Sequence, residues 1–431
     1  MSFLRIDQDL AKHSYYAATA AREGGHHALS GSAECDVAVV GGGLAGLSAA
    51  LDLSRKGYSV VLLEARQVGW GASGRNGGQA IHGLACDQAE IEAQLGLDDA
   101  RKVWQMSLEA LAILRERMAE HQIDCDWRDG YLGLATNARK GADLARWADR
   151  MAEVYGAGFT RIPPQDIAAW IASPRYHSGL HDPHSGHLHP LKYALGLARA
   201  ASQAGVRIFE HSAVTALEMG ALVRLKTAQG EVRAKQVLLA GNVYLQGISQ
   251  ALEARIMPVG TYIVCSEPLP QALADSLIPT RSAVCDTNFV LDYFRTTNDH
   301  RMLYGGRVSY STVTPPNLAE GMRQRMAQTF PQLHGVKAEF AWGGFVDITM
   351  NRAPDFGRLA NNVYYLQGFS GHGLALTGLA GRLVAEAIHG DASRFDIFAR
   401  LNHRPFPGGR WLRTPALVAG MAWYRLRDLL G

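Results

Sequence analysis

The sequence predicts an α/β protein of two lobes, of which one carries a parallel sheet and the other is an inserted α+β lobe with a mixed sheet. Three observations favour this architecture. The chain has 431 residues, more than one ordinary hydrophobic core accommodates. Strand, helix and strand patterns follow one another over 35–63, and a further strand and helix follow at 363–389. Between these units, 258–310 is strand-rich, with proline and glycine punctuation.

The first of these units is a βαβ arrangement. Residues 35–40 (CDVAVV) form a short apolar run that predicts a buried parallel strand. Residues 44–56 have helical periodicity and are followed by Gly57, and 58–63 (YSVVLL) predict a second strand. Together they form one unit of the kind from which parallel sheets are built.

A GxGxxG motif, formed by Gly41, Gly43 and Gly46, connects the first strand to the helix. Gly41 allows a tight turn, Gly43 lets the backbone approach a pyrophosphate, and Gly46 lets the helix pack closely on the strand. The helix N-terminus offers free N–H groups and a positive dipole end to the phosphates. Glu64 closes the second strand at about the distance, roughly 20 residues, expected of a ribose ligand. The motif predicts a Rossmann-type dinucleotide site, with a purely structural βαβ turn as the alternative.

Two further glycine-rich loops favour FAD over NAD as the dinucleotide. Loop 71–79 (GASGRNGGQ) is suited to surround the pyrophosphate and ring of a flavin with backbone contacts, although a surface loop is the alternative. Loop 368–374 (GFSGHGL) lies between a strand and a long helix, so its glycines can bring backbone close to a planar ring. The N-terminus of that helix then faces the pyrimidine edge, where negative charge develops on reduction.

Three less specific positions complete the predicted cofactor site. Gly241 and Asn242 follow a predicted strand and are expected to close over the nucleotide, and Val214 is expected to contact the adenine through its backbone. A plain core role is the alternative for all three. The predicted FAD-binding residues are Gly41, Gly43, Leu44, Ala45, Gly46, Glu64, Ala65, Arg66, Gly71, Ala72, Ser73, Arg75, Asn76, Gly77, Gly78, Gln79, Val214, Gly241, Asn242, Gly368, Ser370, Gly371, His372, Gly373 and Leu374.

Composition and charge argue against several other classes of protein. Charged residues make up 19% of the chain and the formal net charge is +3, without a long basic run, so nucleic acid is not an expected partner. The five cysteines are far apart and form no CxxC motif, so neither a disulfide framework nor a metal site is predicted. Because there is no signal-peptide pattern and no window of about 18 uninterrupted apolar residues, no membrane-spanning segment and a cytoplasmic location are expected.

The predicted domain organisation is discontinuous. Its parts are an N-terminal helical extension (1–34), the FAD-binding lobe (35–85, 180–248 and 350–395), the substrate lobe (86–179 and 249–349) and a C-terminal tail (396–431). The tail includes an apolar segment flanked by arginines, which predicts an amphipathic helix. That helix either packs on its own protein or lies on a membrane surface.

The glycine loops and Glu64 resemble those of the D-amino acid oxidase family of flavoenzymes, which includes glycine and sarcosine oxidases. The resemblance extends over nearly the whole chain, with further matching pieces such as SYYAATA (14–20), SGHLHPL (185–191) and FPGGRWLRTP (406–415). It implies an FAD-binding lobe with a second lobe whose mixed sheet lies over the flavin. It also implies an FAD-dependent oxidoreductase that acts on CH–NH2 or CH–NH donors.

Two departures from the family pattern favour an amine over an amino acid as substrate. Family members that oxidise amino acids bind the substrate carboxylate with a cationic side chain. In some it is an Arg, at the position of Val346 in this chain, and in others a Lys, at the position of Ala375. A buried carboxylate without a cation costs several kcal/mol. The resemblance therefore implies a small-molecule amine, namely a polyamine derivative of putrescine catabolism, oxidised to the aldehyde through an imine. Hydride passes to the flavin, and oxygen, which would give hydrogen peroxide, or another acceptor reoxidises it.

Candidate catalytic residues are His372, at the GHG turn, and Arg307, a cation in place of the Lys with which sarcosine oxidase-like members react with oxygen. A helix cap and a solvated strand residue are the respective alternatives. The predicted substrate-pocket residues are His82, Tyr262, Trp342 and Val346, although aromatic residues at strand spacing are more often core. An amino-acid or N-methyl-amino-acid oxidase of the same family, and an amine dehydrogenase that reduces a quinone, remain alternative functions. The oligomeric state is not predicted.

Overall fold

The computed structural model describes residue 7 and residues 10–288, 290–309 and 317–407, without the side chains of 307–309. The C-terminal part of the predicted tail, with its amphipathic helix, lies outside the described residues. No helix in the described ranges is long and apolar enough to cross a membrane.

The strands and helices of the described chain are numbered here in chain order. The strands are β1 (Gly31–Val40), β2 (Val60–Leu63), β3 (Gln79–Ala80), β4 (Arg128–Ala135), β5 (Thr160–Ile162), β6 (Ser178–His187), β7 (Arg207–Phe209), β8 (Ala216–Glu218), β9 (Val223–Lys226), β10 (Gly230–Leu239), β11 (Met257–Ser266), β12 (Ala283–Asp286), β13 (Tyr293–Thr296), β14 (Met302–Ser309), β15 (Ala338–Ile348), β16 (Asp355–Ala360) and β17 (Val363–Gln367). The helices are α1 (Tyr15–Thr19), α2 (Leu44–Arg55), α3 (Gln88–Leu95), α4 (Leu97–Glu120), α5 (Ala138–Tyr155), α6 (Pro190–Gln203), α7 (Gln250–Arg255), α8 (Gln271–Leu277), α9 (Leu318–Thr329), α10 (Gly373–His389) and α11 (Ser393–Ala399).

The first sheet has the strand order β16–β17–β10–β1–β2–β7, with the β8–β9 hairpin attached to β10. The pairs from β17 to β7 are parallel, and β16 is antiparallel to β17. Alternate residues of β1 enter two apolar clusters: Val37 and Val39 pack with α2 and α10, whereas Ala38 and Val40 pack with β9. Both faces of the sheet are thus covered, which explains why its strands are continuous apolar runs. The predicted βαβ unit and the strand–helix pair at 363–389 are confirmed.

Helices α2, α4 and α10 pack against one another beside this sheet. A Cβ at Gly381 would lie 2.5 Å from the backbone nitrogen of Ala49, so α10 approaches α2 closely at that point. From α4, the fully buried Arg117 donates hydrogen bonds to Asp52 and to Ser48, each at 2.8 Å. An ion pair that is buried between helices in this way fixes their relative position.

The second sheet is mixed and has the strand order β15–β11–β14–β13–β12–β4–β6–β3, with β5 attached to β6. The β4–β12 pair is parallel and the other pairs are antiparallel. This is the mixed sheet that the sequence predicts for the inserted lobe.

One predicted boundary differs from the strand pairing. The sequence assigned 180–248 to the FAD-binding lobe, but Ser178–His187 is strand β6, which pairs with β4 in the second sheet. Its sequence, SGLHDPHSGH, contains a proline and mostly polar residues, so it gives no apolar strand signal. Asp182, Ser185 and His187 are nevertheless buried, and each hydrogen-bonds to another element: His82 donates to Asp182 and to Ser185, and His187 Nε2 donates to Arg281 O at 2.9 Å.

The buried ion pair of Arg117 yields a stability prediction. Replacement Arg117→Leu leaves the Asp52 carboxylate without its closest cation, and we expect the free energy of unfolding in urea to fall by about 3 kcal/mol. Arg101→Leu, on an exposed position of the same helix, serves as the control and is expected to change it by less than about 0.5 kcal/mol. Equal effects of the two replacements would contradict a stabilising role of the buried pair.

Candidate active site

The GxGxxG turn between β1 and α2 has no room for side chains. Gly41 has a φ of +113°, and a Cβ there would lie 2.6 Å from the carbonyl oxygen of Ala240. A Cβ at Gly46 would lie 2.0 Å from the carbonyl oxygen of Gly41, and one at Gly43 would lie 2.8 Å from Ser73 Oγ. Each glycine of the motif is therefore required by a close approach of other atoms. Leu44 and Ala45, which were predicted to bind the cofactor, form the first turn of α2.

Glu64 lies beside this turn, at the carboxyl end of β2. Its Oε2 accepts a hydrogen bond from Gly42 N at 2.7 Å, and its Oε1 accepts one from Arg66 N at 2.7 Å. Burial raises the pKa of Glu64, although these two N–H donors act in the opposite direction. The carboxylate is thus held, together with its neighbours Ala65 and Arg66, at the edge of the sheet where dinucleotides bind in such folds.

Loop 71–79 lies against the start of α2. Leu44 N donates to Ser73 Oγ at 3.0 Å. Within the loop, Asn76 Nδ2 donates to the carbonyl oxygen of Ala72 at 3.0 Å, and Asn76 Oδ1 accepts from Gly78 N at 2.8 Å. The side chain of Gln79 donates to Val284 O at 3.0 Å and so joins the loop to the second sheet. Gly71 and Gly77 are packed against the tyrosine rings of positions 244 and 293.

Arg75 of this loop turns away from the glycine motif. Its buried guanidinium pairs with the carboxylate of Asp7, donates to Gly343 O at 2.8 Å and lies 4.8 Å from the centre of the Trp70 ring. Trp342 Nε1 in turn donates to the carbonyl oxygen of Arg75 at 2.9 Å. The side chain of Arg75 therefore fastens the loop to β15 and to the N-terminal segment.

Loop 368–374 is held by a buried carboxylate. Asp347 Oδ2 accepts from the N–H groups of Gly368 and Phe369, and its carbonyl oxygen accepts from Ser370 N at 3.1 Å. Burial raises the pKa of Asp347 to about 6. Gly368 and Ser370 have positive φ values of 76° and 51°. Gly371, with a φ of 85°, has nothing within 4 Å of an added Cβ, so the turn is open on that side.

His372 joins this loop to the segment that follows β3. Its Nε2 is 2.9 Å from His82 O and 3.2 Å from Ile81 O, so it donates to carbonyl oxygens rather than capping α10, which begins with Gly373 and Leu374. Burial lowers the pKa of His372 to about 4. The ring is thus a neutral hydrogen-bond donor at neutral pH.

A cavity of about 350 Å³ adjoins His372 and His82. Its floor is one face of the second sheet. Tyr131 on β4 pairs with Asp182 on β6, and Cys285 on β12 pairs with Gly133, two residues after Tyr131, so the three side chains lie on the same face. Its other walls include the aromatic rings of Trp104, Trp147 and Phe159. Of the predicted pocket residues, His82 lines this cavity. His372, which was predicted as a catalytic residue, lines it as well. The other wall residues were missed, because they come from separate helices, strands and a loop and share no sequence spacing.

The other predicted site residues lie elsewhere. Tyr262 and Trp342 are buried in two different apolar clusters and do not line the cavity, and Val346 is half-buried on β15. The backbone of Arg307 pairs with Tyr262, and its side chain lies outside the described part of the structure. Val214 packs beside the β8–β9 hairpin.

Gly241 and Asn242 follow β10 directly, next to the GxGxxG turn. A Cβ at Gly41 would lie 3.0 Å from the Cα of Gly241. Asn242 has a φ of 53° and also hydrogen-bonds with its side chain to Asp347. The glycine turn, loop 71–79, residues 241–242 and loop 368–374 are therefore connected through direct contacts.

The geometry of these loops fits FAD. Neither α2 nor α10 has a side-chain cap on its N-cap residue, and Leu44 N of α2 donates to Ser73 Oγ. The other N–H groups of the two first turns are available to phosphates and to a polar ring edge. The glycines of the turns leave the backbone accessible where a Cβ would fill the space. Among the described residues, no group of three or more His, Cys, Asp or Glu side chains could hold a metal ion.

Comparison with known proteins defines the class. A family model described as "DAO: FAD dependent oxidoreductase" matches residues 36–387, and the chain belongs to this family of FAD-dependent enzymes. It is 45% identical over 419 residues to gamma-glutamylputrescine oxidoreductase of Escherichia coli (strain K12), which covers 97% of this chain and 98% of that protein. It is 43% identical over 399 residues to the probable oxidoreductase OrdL of Haemophilus influenzae, with coverages of 91% and 92%. The crystal structure of glycine oxidase from Geobacillus kaustophilus superposes with a TM-score of 0.69 at 21% identity, covering 83% of this chain and 95% of that one.

The glycine turn yields a prediction for cofactor binding. Gly46→Ala places a methyl group 2.0 Å from the carbonyl oxygen of Gly41, so the turn has to move away from its pyrophosphate-binding geometry. We expect FAD affinity, titrated on the apoprotein by fluorescence, to fall by at least about tenfold, or 1.4 kcal/mol. The control is Gly158→Ala, where an added Cβ meets nothing within 4 Å. Unchanged affinity of the Gly46 variant would exclude this turn as the pyrophosphate site.

Proposed function

We propose that this enzyme oxidises the primary amine of a polyamine derivative such as gamma-glutamylputrescine to the aldehyde, through an imine that hydrolyses with release of ammonia. The observation that carries the proposal is the composition of the cavity beside His372 and His82. The 45% identity to gamma-glutamylputrescine oxidoreductase of Escherichia coli supports the same substrate. Oxygen is the proposed electron acceptor, with hydrogen peroxide as its product.

The walls of the cavity suit an aminoalkyl chain. The rings of Trp104, Trp147 and Phe159 provide apolar surface for methylene groups, and aromatic faces attract a cation. No Lys or Arg is among the described residues that line the cavity. A carboxylate next to the oxidised carbon would lack a counter-charge there, which favours an amine over an α-amino acid. Val346 and Ala375 stand where amino-acid-oxidising relatives carry a cation, but neither lines this cavity, so the preference rests on the absence of Lys and Arg from its described lining.

Two buried polar atoms of the cavity wall lack a hydrogen-bond partner within the described protein. They are Nε1 of Trp104 and Oγ1 of Thr287. Because an unsatisfied buried donor costs about 1–3 kcal/mol, such atoms favour a ligand that supplies the missing partners. The indole N–H is a donor only, so it requires an acceptor such as an amide carbonyl. An acylated diamine has both the alkyl chain and that carbonyl.

Bound FAD supplies the two-electron acceptor for this oxidation. The glycine turn, Glu64 and loop 71–79 are proposed to hold the dinucleotide, and loop 368–374 is proposed to contact its ring. The carboxylate of Asp347 holds loop 368–374 in place by accepting hydrogen bonds from the N–H groups of Gly368 and Phe369. His372 holds the backbone of His82, and with it that part of the cavity wall, through the hydrogen bond to His82 O. Arg307 stays a proposed cation for the reaction with oxygen.

The substrate proposal predicts the outcome of anaerobic reduction. We expect gamma-glutamylputrescine to bleach the visible flavin band of the purified enzyme, and admission of air to restore it with formation of hydrogen peroxide. Glycine and sarcosine are the comparison substrates, and we expect them to reduce the flavin at least about a hundredfold more slowly. Each would bring its carboxylate into a cavity whose described lining has no cation to pair with it. Faster reduction by glycine or sarcosine would refute the amine assignment, and slow reoxidation in air would replace oxygen by another acceptor.

The indole N–H of Trp104 predicts a selective loss of affinity. Trp104→Phe keeps an aromatic wall and removes the donor. We expect KM for the acylated diamine to increase about fivefold, corresponding to one neutral hydrogen bond of about 1 kcal/mol, while KM for a simple alkylamine without a carbonyl changes less. Trp170→Phe, at a tryptophan that packs on His181 outside the cavity, is the matched control. An equal change for both substrates would show that Trp104 contributes ring surface alone.

A further inference from the structure

A chain of three polar side chains ends at the cavity. Ser185 Oγ donates a hydrogen bond to Asp182 Oδ2, and the same oxygen accepts from His82 Nδ1 at 2.7 Å. The second carboxylate oxygen of Asp182 accepts from His184 N at 2.9 Å. Burial acts to raise the pKa of Asp182, but the hydrogen bonds from His82, Ser185 and the backbone of His184 hold it at about 2. Asp182 is thus ionised at any pH at which the enzyme works.

These contacts fix the orientation of the His82 ring. Because a carboxylate only accepts hydrogen bonds, Nδ1 of His82 carries the proton between the two groups, and Nε2 of the neutral ring carries a lone pair. The ring packs between cavity walls, with its centre 4.9 Å from that of Phe159 and 5.5 Å from that of Trp104. Its backbone carbonyl accepts from His372 at the GHG turn. The imidazole therefore stands where the cavity meets the loop that is proposed to contact the flavin.

We propose that His82, oriented by Asp182, accepts the proton of the substrate ammonium inside the cavity before the amine is oxidised. This inference rests on the proposed oxidation of an amine. An alkylammonium group has an ordinary pKa of about 10.4 and is protonated at neutral pH, whereas loss of hydride from the adjacent carbon requires the nitrogen lone pair. In the transfer, the N–H bond of the ammonium breaks, a bond from that proton to Nε2 forms, and no electrons are exchanged. The ionised Asp182 stabilises the positive charge that His82 then carries.

The other titratable groups that face the cavity are poorly suited to this role. Nε2 of His372 is already used as a donor to two carbonyl oxygens, and burial lowers its pKa to about 4. Burial raises the pKa of Tyr131 well above its usual value and the pKa values of Cys86 and Cys285 to about 12, so none of the three is ionised at neutral pH.

The remaining carboxylates at the cavity are engaged with their own neighbours. Asp286 accepts from the backbone N–H groups of Asn288 and Asp292 and pairs with Arg175. Asp87 caps α3 through Ala89 N. Asp182 has three donors of its own. Among these groups, His82 has an acceptor atom, Nε2, that none of these hydrogen bonds uses.

The test is the pH profile of anaerobic flavin reduction by gamma-glutamylputrescine in the FAD-loaded enzyme. In the His82→Gln variant we expect the second-order rate constant of flavin reduction at pH 7 to fall by roughly 100-fold. Because the free neutral amine becomes abundant at high pH, the loss is expected to shrink to less than about tenfold near pH 10. Asp182→Asn keeps the imidazole, and we expect a smaller loss of the reduction rate at pH 7 that also shrinks toward pH 10. A merely structural defect would lower the rate equally at every pH.

His181→Gln provides the matched control. His181 precedes Asp182 in β6, but its ring lies on the other face of the sheet, against Trp170. We expect its pH profile to match that of the unaltered enzyme. The visible flavin band and the melting temperature show whether each variant retains FAD and is folded. If the His82 variant fails either check, the Asp182→Asn profile decides.

The outcomes separate this inference from the proposed function. An unaltered enzyme that no amine reduces would refute the proposed function itself. An enzyme that oxidises gamma-glutamylputrescine, but whose His82 and Asp182 variants lose activity equally at every pH, would leave the function intact and overturn the role of His82 as proton acceptor. Recovery of both variants toward pH 10, together with an unchanged His181 profile, would support that role.

Discussion

The site depends on the hydrogen bonds that the His372 ring donates to the carbonyl oxygens of Ile81 and His82. His372 directly precedes α10, which packs on the first sheet, and residues 81–82 follow β3 of the second sheet. A single neutral imidazole thus joins the loop proposed to contact the flavin to the wall of the cavity. Since desolvation lowers the pKa of His372 to about 4, this connection persists through the neutral pH range.

The close approach of backbone atoms is the second constraint on the site. At Gly46 a Cβ would collide with the carbonyl oxygen of Gly41 in the same turn, and at Gly41 with that of Ala240, which follows β10. The motif could be located from sequence alone because its three glycines, the strand before them and the helix after them lie within one short segment. The βαβ unit and the strand–helix pair at 363–389 were predictable for the same reason, because each is encoded within a short segment.

The cavity could not be predicted in this way. Trp104, Tyr131, Trp147 and Phe159 lie on a helix, a strand, a second helix and a loop, and only the folded chain brings them to one place. His82 was found because it directly follows the glycine loop. Tyr262 and Trp342 are aromatic like the cavity walls, but they are buried in apolar clusters of the core, so their residue type reflects core packing.

The same limit applies to β6. Its polar sequence contains no apolar strand signal, because its buried side chains are stabilised by hydrogen bonds from other elements rather than by apolar contacts. Asp182 is a case in point, since its partner His82 is distant in sequence. Patterns of hydrophobicity cannot reveal a buried polar residue of this kind.

The two histidines that line the cavity differ in what their rings contact, and this difference separates their chemistry. His372 faces carbonyl oxygens, which accept its hydrogen bond but carry no net charge, so a positive charge on its ring would be uncompensated. His82 faces the ionised carboxylate of Asp182 at 2.7 Å, which compensates such a charge. One ring is thereby suited to hold the backbone in place. The other is suited to take up a proton, and the neutral amine is the form from which hydride can leave.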